Sequence, residues 1–285
     1  MTLSRHRWLC AGILLLLQAA CSMRSLDQLG SAGGPPPVAD ADVPDSPVVV
    51  EVDASDVGGF GVSPVDARPP ADMNMPPPVS KQVFFIVGSV SLTPADGTIQ
   101  KRLSDRGLDV ALVDDGEVAG VDTTGAALIV ISKTARSLSV GARFRNSPQP
   151  VMLWDQGLYD EMGMVDAIDG RWGVTPNLRN VRIEVQGNPL AAGLRGQPAV
   201  MNNFGDMGWG MPGSSATVVA SLPNQINQAA IFCYETGARM AALNAPARRV
   251  GFFLTETSAS ELTPEGWALF DAALTWALGG ASAGP

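Results

Sequence analysis

The sequence predicts an α/β fold: a mainly parallel sheet with helices on both faces and some antiparallel additions. Three observations carry this. Short continuous apolar runs recur from residue 83 onward, as in Val83-Phe84-Phe85-Ile86-Val87 and Ala127-Leu128-Ile129-Val130-Ile131. Strands covered on both faces read this way, whereas half-exposed strands alternate. Helix-start chemistry appears twice, at Thr93-Pro94 and Thr263-Pro264, with a capping hydroxyl followed by proline at the first helical position. The first of these lies between two apolar runs, which is the βαβ rhythm of right-handed crossovers.

Taken in order, residues 83–88 form the first predicted strand. A helix follows from Thr93, with Ile99 and Leu103 as its apolar stripe and Gly107 as its stop. Residues 108–113 are the second strand, ending at Asp114-Asp115, and residues 127–131 are the third. A short helix is expected around 140–145, and residues 150–154 are the fourth strand. This first half is flavodoxin-like in its order of elements. The glycine-rich stretch 156–180 is expected to be irregular. Residues 181–185, Val200, Trp209, 217–221, 229–234 and 250–254 mark later strands, some of them antiparallel. A final helix carries Trp267, Phe270, Leu274 and Leu278 at helical spacing, which marks a core face.

Three regions follow. Residues 1–20 have the form of an export signal: Arg5 and Arg7, an apolar stretch from Leu9 to Leu17, then Ala19-Ala20 before Cys21. The apolar stretch is shorter than the roughly 20 residues needed to span a bilayer. Residues 21–80 are rich in proline and acids, a composition that favours extended, solvated chain and buries no core. Residues 81–280 suit one domain with a sizeable core.

The Ala19-Ala20-Cys21 junction resembles the bacterial lipobox, in which the cysteine becomes the lipidated N-terminus. Gln18 stands where that pattern usually has Leu, with Leu17 one place earlier. The resemblance implies a lipid anchor on Cys21 and, with Ser22 rather than Asp next to it, the outer membrane.

Charge and residue inventory narrow the function. Without residues 1–20 the chain has 17 basic and 28 acidic residues, a net charge of −11. That opposes nucleic acid, whose phosphates need a basic face, and polybasic adhesion to anionic lipid. The single histidine, His6, leaves with the signal. Catalytic Ser-His-Asp and Cys-His groupings and His/Cys zinc sites are then unavailable. With Cys21 acylated and Cys10 removed, Cys233 is the one thiol left, set in an apolar run that reads as buried strand. No phosphate loop or dinucleotide fingerprint is present, and no cofactor is implied.

What remains are polar residues at predicted strand ends: Ser89, Ser91, Asp114, Asp115, Ser132-Lys133-Thr134, Asp155, Gln156, Glu235 and Glu256. Asp114, Asp115 and Asp155 are candidate oxygen ligands for a hard cation, against the simpler reading of solvated loop acids, and no metal is expected. Asp155 and Glu256 are the candidate acid–base pair. Ser132-Lys133 is the weakest candidate, because neighbours on a strand point to opposite faces. Trp154, Asp155, Tyr159 and Trp172 form a candidate ligand surface, with carbohydrate as the fitting class, against core packing as the simpler reading for Trp154.

The βαβ start, the segment Asn188-Pro189-Leu190-Ala191-Ala192-Gly193-Leu194, the run Val250-Gly251-Phe252-Phe253-Leu254-Thr255 and the helix Gly266-Trp267-Ala268-Leu269-Phe270-Asp271-Ala272-Ala273 resemble the class I glutamine amidotransferase-like superfamily, trehalose-utilisation-type domains in particular. They also resemble an uncharacterised domain of secreted bacterial proteins. The resemblance spans residues 83–278 and implies the fold. It carries over no catalytic residue: the turns after the third and fourth strands offer Ser132 and Asp155 instead of a cysteine, and Asn188 stands where trehalose-utilisation relatives often have His. The expectation is a non-catalytic, lipid-anchored envelope protein displaying an α/β binding domain for carbohydrate or another envelope component. A carboxylate-dependent hydrolase or isomerase, or a purely structural envelope protein, is the alternative. For the anchor, radiolabelled palmitate is expected to enter the wild-type chain and not Cys21→Ser; equal labelling would sink the lipid reading.

Overall fold

The computed structural model describes residues 80–280. The stretches read from the sequence as an export signal and a tether, Cys21 among them, lie outside the described residues. Four parallel strands open the fold: β1 (Gln82–Val87), β2 (Asp109–Asp114), β3 (Leu128–Ile131) and β4 (Val151–Leu153). Then come β5 (Trp172–Leu178), β6 (Arg182–Ile183), β7 (Gly205–Gly210), β8 (Thr217–Leu222), β9 (Gln225–Tyr234) and β10 (Arg249–Gly251). The strands lie in the order β2-β1-β3-β4-β10-β9-β7-β5, with β8 on the other edge of β9 and β6 on β8. From β2 to β10 every pairing is parallel, which gives the expected flavodoxin-like α/β block; from β9 onward every pairing is antiparallel.

The pleat sorts the core into two layers. Val83, Phe85, Val87, Leu128, Val130, Met152, Trp154 and Val250 share one layer with Ile99 and Leu103 of helix α1 (Pro94–Asp105) and Phe270 and Leu274 of α3 (Pro264–Ala277). Ile86, Ile129, Ile131, Val151 and Leu153 share the other with Val140 of α2 (Ser137–Val140), Phe144 and Tyr159. This is why β3 reads as uninterrupted apolar sequence: every one of its residues is buried.

The capping chemistry is as the sequence indicates. Thr93 and Thr263 accept backbone N–H bonds from Asp96 and Gly266, each at 3.1 Å, and Gly107 takes φ 77° just past the end of α1. Asp271 joins the two long helices by accepting from Arg102, Nε at 2.9 Å, and pairing with Arg106.

Two expectations are corrected. The helix placed at 140–145 lies at Ser137–Val140, because Gly141 adopts φ 48° and ψ −142°, which ends the helical ladder. The stretch 156–180 is not irregular throughout; it contains β5. Gly173, Pro176 and Asn177 hid the strand. At the sheet margin the missing proline N–H loses no ladder bond, and a register shift between Thr175 and Leu178 takes up Asn177 at φ 60°.

One buried charge stabilises the start of the parallel strands. Arg249 is fully buried, and no carboxylate among the described residues pairs with it. Its Nη1 donates to the carbonyls of Gln149, Ala247 and Arg248 (3.0, 3.1 and 3.1 Å), and its Nη2 to those of Arg145 and Ser147 (3.3 and 2.6 Å). Burial lowers its pKa, yet a guanidinium stays charged at neutral pH. The loop 145–149 thus turns its carbonyls inward around a cation. Arg249→Met should cost about 3 kcal/mol, because several buried carbonyls lose their donor at once. Urea denaturation checks this; an unchanged midpoint would show that the loop is held by other means.

Candidate functional site

Parallel pairing brings the ends of β1, β2, β3, β4 and β10 to one edge, where ligands usually bind in open α/β sheets. The acids gathered there already have partners. Asp96, from the first turn of α1, is buried and accepts from Ser132 Oγ at 2.6 Å and Thr134 Oγ1 at 2.7 Å. Thr134 Oγ1 in turn accepts from the N–H of Gly88 at 3.2 Å. A side chain at Gly88 would come within 2.2 Å of the Thr134 carbonyl oxygen, so the close approach of these two loops requires glycine.

Asp115 is buried at the end of β2. It accepts from the Arg136 backbone N–H at 2.6 Å and from Arg136 Nη2 at 2.6 Å. The Arg136 guanidinium holds this carboxyl below its usual range. Asp114, outside it, accepts from the N–H of Gly116. Asp155, after β4, has no exposed side-chain surface. Its Oδ1 accepts from Lys133 Nζ at 2.7 Å and the Gly157 N–H at 3.2 Å, and its Oδ2 from Ser137 Oγ at 2.6 Å. Its backbone, φ −85° and ψ 104°, is ordinary extended chain, unlike the strained turn that presents a nucleophile.

Each sequence-derived candidate now has a place. Ser132 faces Asp96 and Lys133 faces Asp155, so the two diverge and form no dyad. Asp114, Asp115 and Asp155 do not converge; among the described residues no cluster of three potential ligands is poised for a metal. Asp155 and Glu256 follow neighbouring strands, but Asp155 is sealed and Glu256 is exposed, with no hydrogen bond between them. Glu235 lies at the opposite end of the sheet, because β9 runs antiparallel to β10.

The aromatic surface is corrected as well. Trp154 is buried between Phe85 and Phe270, with ring centroids at 6.0 and 6.2 Å. Tyr159 is buried and donates its hydroxyl to the Phe252 carbonyl at 3.1 Å, with its ring edge-on to Phe232. Trp172 is half-buried in β5, against the second core layer. An apolar strand that is buried on both faces takes Trp154 with it, so these rings offer no shared platform. Gln156 is a staple: Nε2 donates to the carbonyls of Trp154 (2.9 Å) and Leu254 (3.0 Å), and any side chain at Gly208 would collide with it.

Sequence reasoning missed Asp96, Arg136 and Ser137, whose hydrogen bonds close this edge. Asp96 looked like an ordinary first-turn acid, and nothing local marks its partners 36 and 38 residues away. It also missed two clefts at the far end of the sheet. One, of about 420 Å³, lies between Asn188, Leu190, Thr217, Glu235, Arg248 and Trp276, with Cys233 in its wall. Cys233 is buried, and burial pushes its thiol up to about 12, so it is a poor nucleophile. The second, of about 380 Å³, is polar and lies between Thr123, Thr124, Arg143 and Gln149.

No family model matches the chain, and none of the curated proteins matches it. Similar solved structures include a GMP synthase-type protein from Thermoplasma acidophilum (15% identity, TM-score 0.46, covering 70% of this chain and 94% of the other). A glutamine amidotransferase from Thermotoga maritima is 11% identical, with TM-score 0.42 and coverage of 69% and 97%. A ThuA-like protein from Bacteroides uniformis is 9% identical, with TM-score 0.45 and coverage of 76% and 98%. At these values shared chemistry does not follow.

The charge pairs make two predictions. Asp115 has a lowered folded-state pKa, so its contribution is complete above the unfolded value and lost as pH falls through the folded one. On going from about pH 6 to about pH 3, the urea midpoint of the wild type should therefore fall further than that of Asp115→Asn; parallel acid curves would remove the pair from the account. Asp155→Asn should cost roughly 1–3 kcal/mol, since a buried charged hydrogen bond is lost while Lys133, partly exposed, turns to water. Chemical denaturation reads this directly.

Proposed function

We propose that the chain is a lipid-anchored binding protein of the bacterial envelope, carrying on a tether an α/β domain that holds a ligand without turning it over. The observation that carries the reading is the state of Asp155. It occupies one of the two strand-end turns, with that of Ser132, where the amidotransferase-like resemblance would place a nucleophile, yet it is buried, paired with Lys133 and Ser137, and set on unstrained backbone. A nucleophile or general base needs access to the atom it attacks or deprotonates; this carboxylate commits its lone pairs to its own fold. The sequence has no histidine beyond His6, so none of the described residues supplies an imidazole. The export-signal form of residues 1–20 and the lipobox-like junction at Cys21 support the envelope setting.

The carboxylate-enzyme alternative loses its motivation with the separation of a sealed Asp155 from an exposed Glu256. The test is a panel of ester, amide, glycoside and glutamine substrates assayed with the full chain and with Asp155→Asn. No turnover that depends on Asp155 is expected; a measurable rate abolished by Asp155→Asn would overturn the non-catalytic reading.

A further inference from the structure

We propose that the ligand site is the cleft at the start of the parallel strands, between Asn188, Thr217, Glu235, Arg248 and Trp276, and that it takes a neutral polyhydroxylated ring, a sugar. This rests on the binding reading above and moves the site to the opposite end of the sheet from Asp155. The cleft, about 420 Å³, lies within the size range of small-ligand pockets.

Five elements converge on it. Glu235 follows β9, and Arg248 precedes β10. Thr217 opens β8, Trp276 lies in the last turn of α3, and Asn188 caps the short 3-10 turn Pro189–Ala191. Glu235 Oε2 accepts from Arg248 Nε at 3.0 Å, and Oε1 from the Trp276 indole N–H at 3.2 Å. The Arg248 guanidinium lies 4.7 Å from the centre of the Trp276 ring and also donates Nη1 to the Trp276 carbonyl. The three side chains hold one another in place, so the cleft wall is pre-ordered before any ligand arrives.

The chemistry left over selects the ligand. A carboxylate has about four lone-pair positions, and Glu235 uses two of them on protein donors. Its side chain is 60% exposed. Among the described residues, Arg248 Nη2 and Asn188 Nδ2 have no protein acceptor, since Arg248 uses Nε and Nη1 and Asn188 uses Oδ1 as a cap. One acceptor group, Glu235, and two donors, Arg248 Nη2 and Asn188 Nδ2, therefore line the cleft together with an indole and Leu190. The charges of Glu235 and Arg248 offset each other, so the cleft attracts neither an anion nor a cation by net charge. Hydroxyl groups, which both donate and accept, on an apolar ring match this lining.

The test uses the five indole N–H resonances of the chain from Cys21 onward labelled with ¹⁵N-tryptophan, with the Trp276 signal assigned by its loss in Trp276→Phe. Glucose, galactose, N-acetylglucosamine and their disaccharides are the probes. The expected result is saturable movement of the Trp276 signal with at least one sugar while the Trp154 signal stays in place. Glu235→Gln, with its other indole signals unmoved, should weaken that sugar by about tenfold, as for loss of one charged hydrogen bond. A Trp276 signal indifferent to every sugar overturns the inference, as does equal affinity in Glu235→Gln. Movement confined to another indole, such as Trp172, overturns this cleft and leaves the binding reading standing. Failure of the binding reading itself shows separately, as Asp155-dependent turnover.

Discussion

A carboxylate removed from water must find its full complement of donors inside the protein, and at the end of β4 this requirement organises its surroundings. Asp155 draws Lys133 from the turn after β3, Ser137 from the start of α2 and the N–H of Gly157 from its own turn. Desolvating the acid alone would cost several kcal/mol; with a cation and two further donors the penalty is largely offset. The consequence is geometric: the loop between β3 and α2 is held down against the end of β4, on the edge formed by the carboxyl ends of the parallel strands. Asp96 and Asp115 impose the same constraint on the neighbouring loops through Ser132, Thr134 and Arg136.

The two ends of the sheet consequently differ in kind. At the carboxyl ends of the parallel strands, the buried acids are satisfied within the fold. At the other end, Arg249 is solvated by five carbonyls and shapes the loop 145–149, and next to it Arg248 belongs to the wall of an open cleft. Reversal of the chain at β9 is what furnishes that cleft, since it carries Glu235 to the end where Arg248 leads into β10. The antiparallel half of the sheet thus supplies the surface on which the proposed ligand site depends.

Much of the fold was legible locally. β1 and β3 announce themselves as apolar runs because both their faces are covered, and α1 and α3 because Thr93-Pro94 and Thr263-Pro264 satisfy helix-start donors within four residues. β5 was not legible, since Gly173, Pro176 and Asn177 contradict strand propensity and only its marginal position makes them tolerable. The candidate site was legible in part. The strand-end acids were recognisable and do gather at one edge, but whether an acid faces water or a buried cation depends on partners such as Ser132 for Asp96 and Lys133 for Asp155.

By itself the sequence determined the rhythm of elements, the helix caps, the absence of any histidine beyond residue 6 and the acidic balance, because each is a property of composition or of neighbours a few residues apart. The tertiary structure alone decided that Trp154 and Tyr159 are core, that Asp155 is sealed, and that Glu235 meets Arg248 and Trp276 across a cleft. Those outcomes hang on contacts between residues far apart in the chain, such as Gln156 with Leu254, 98 residues on, and Arg249 with Arg145, 104 residues back. The direction of β9 and the pairing of each buried charge are set by the packed sheet as a whole, and no local pattern encodes them.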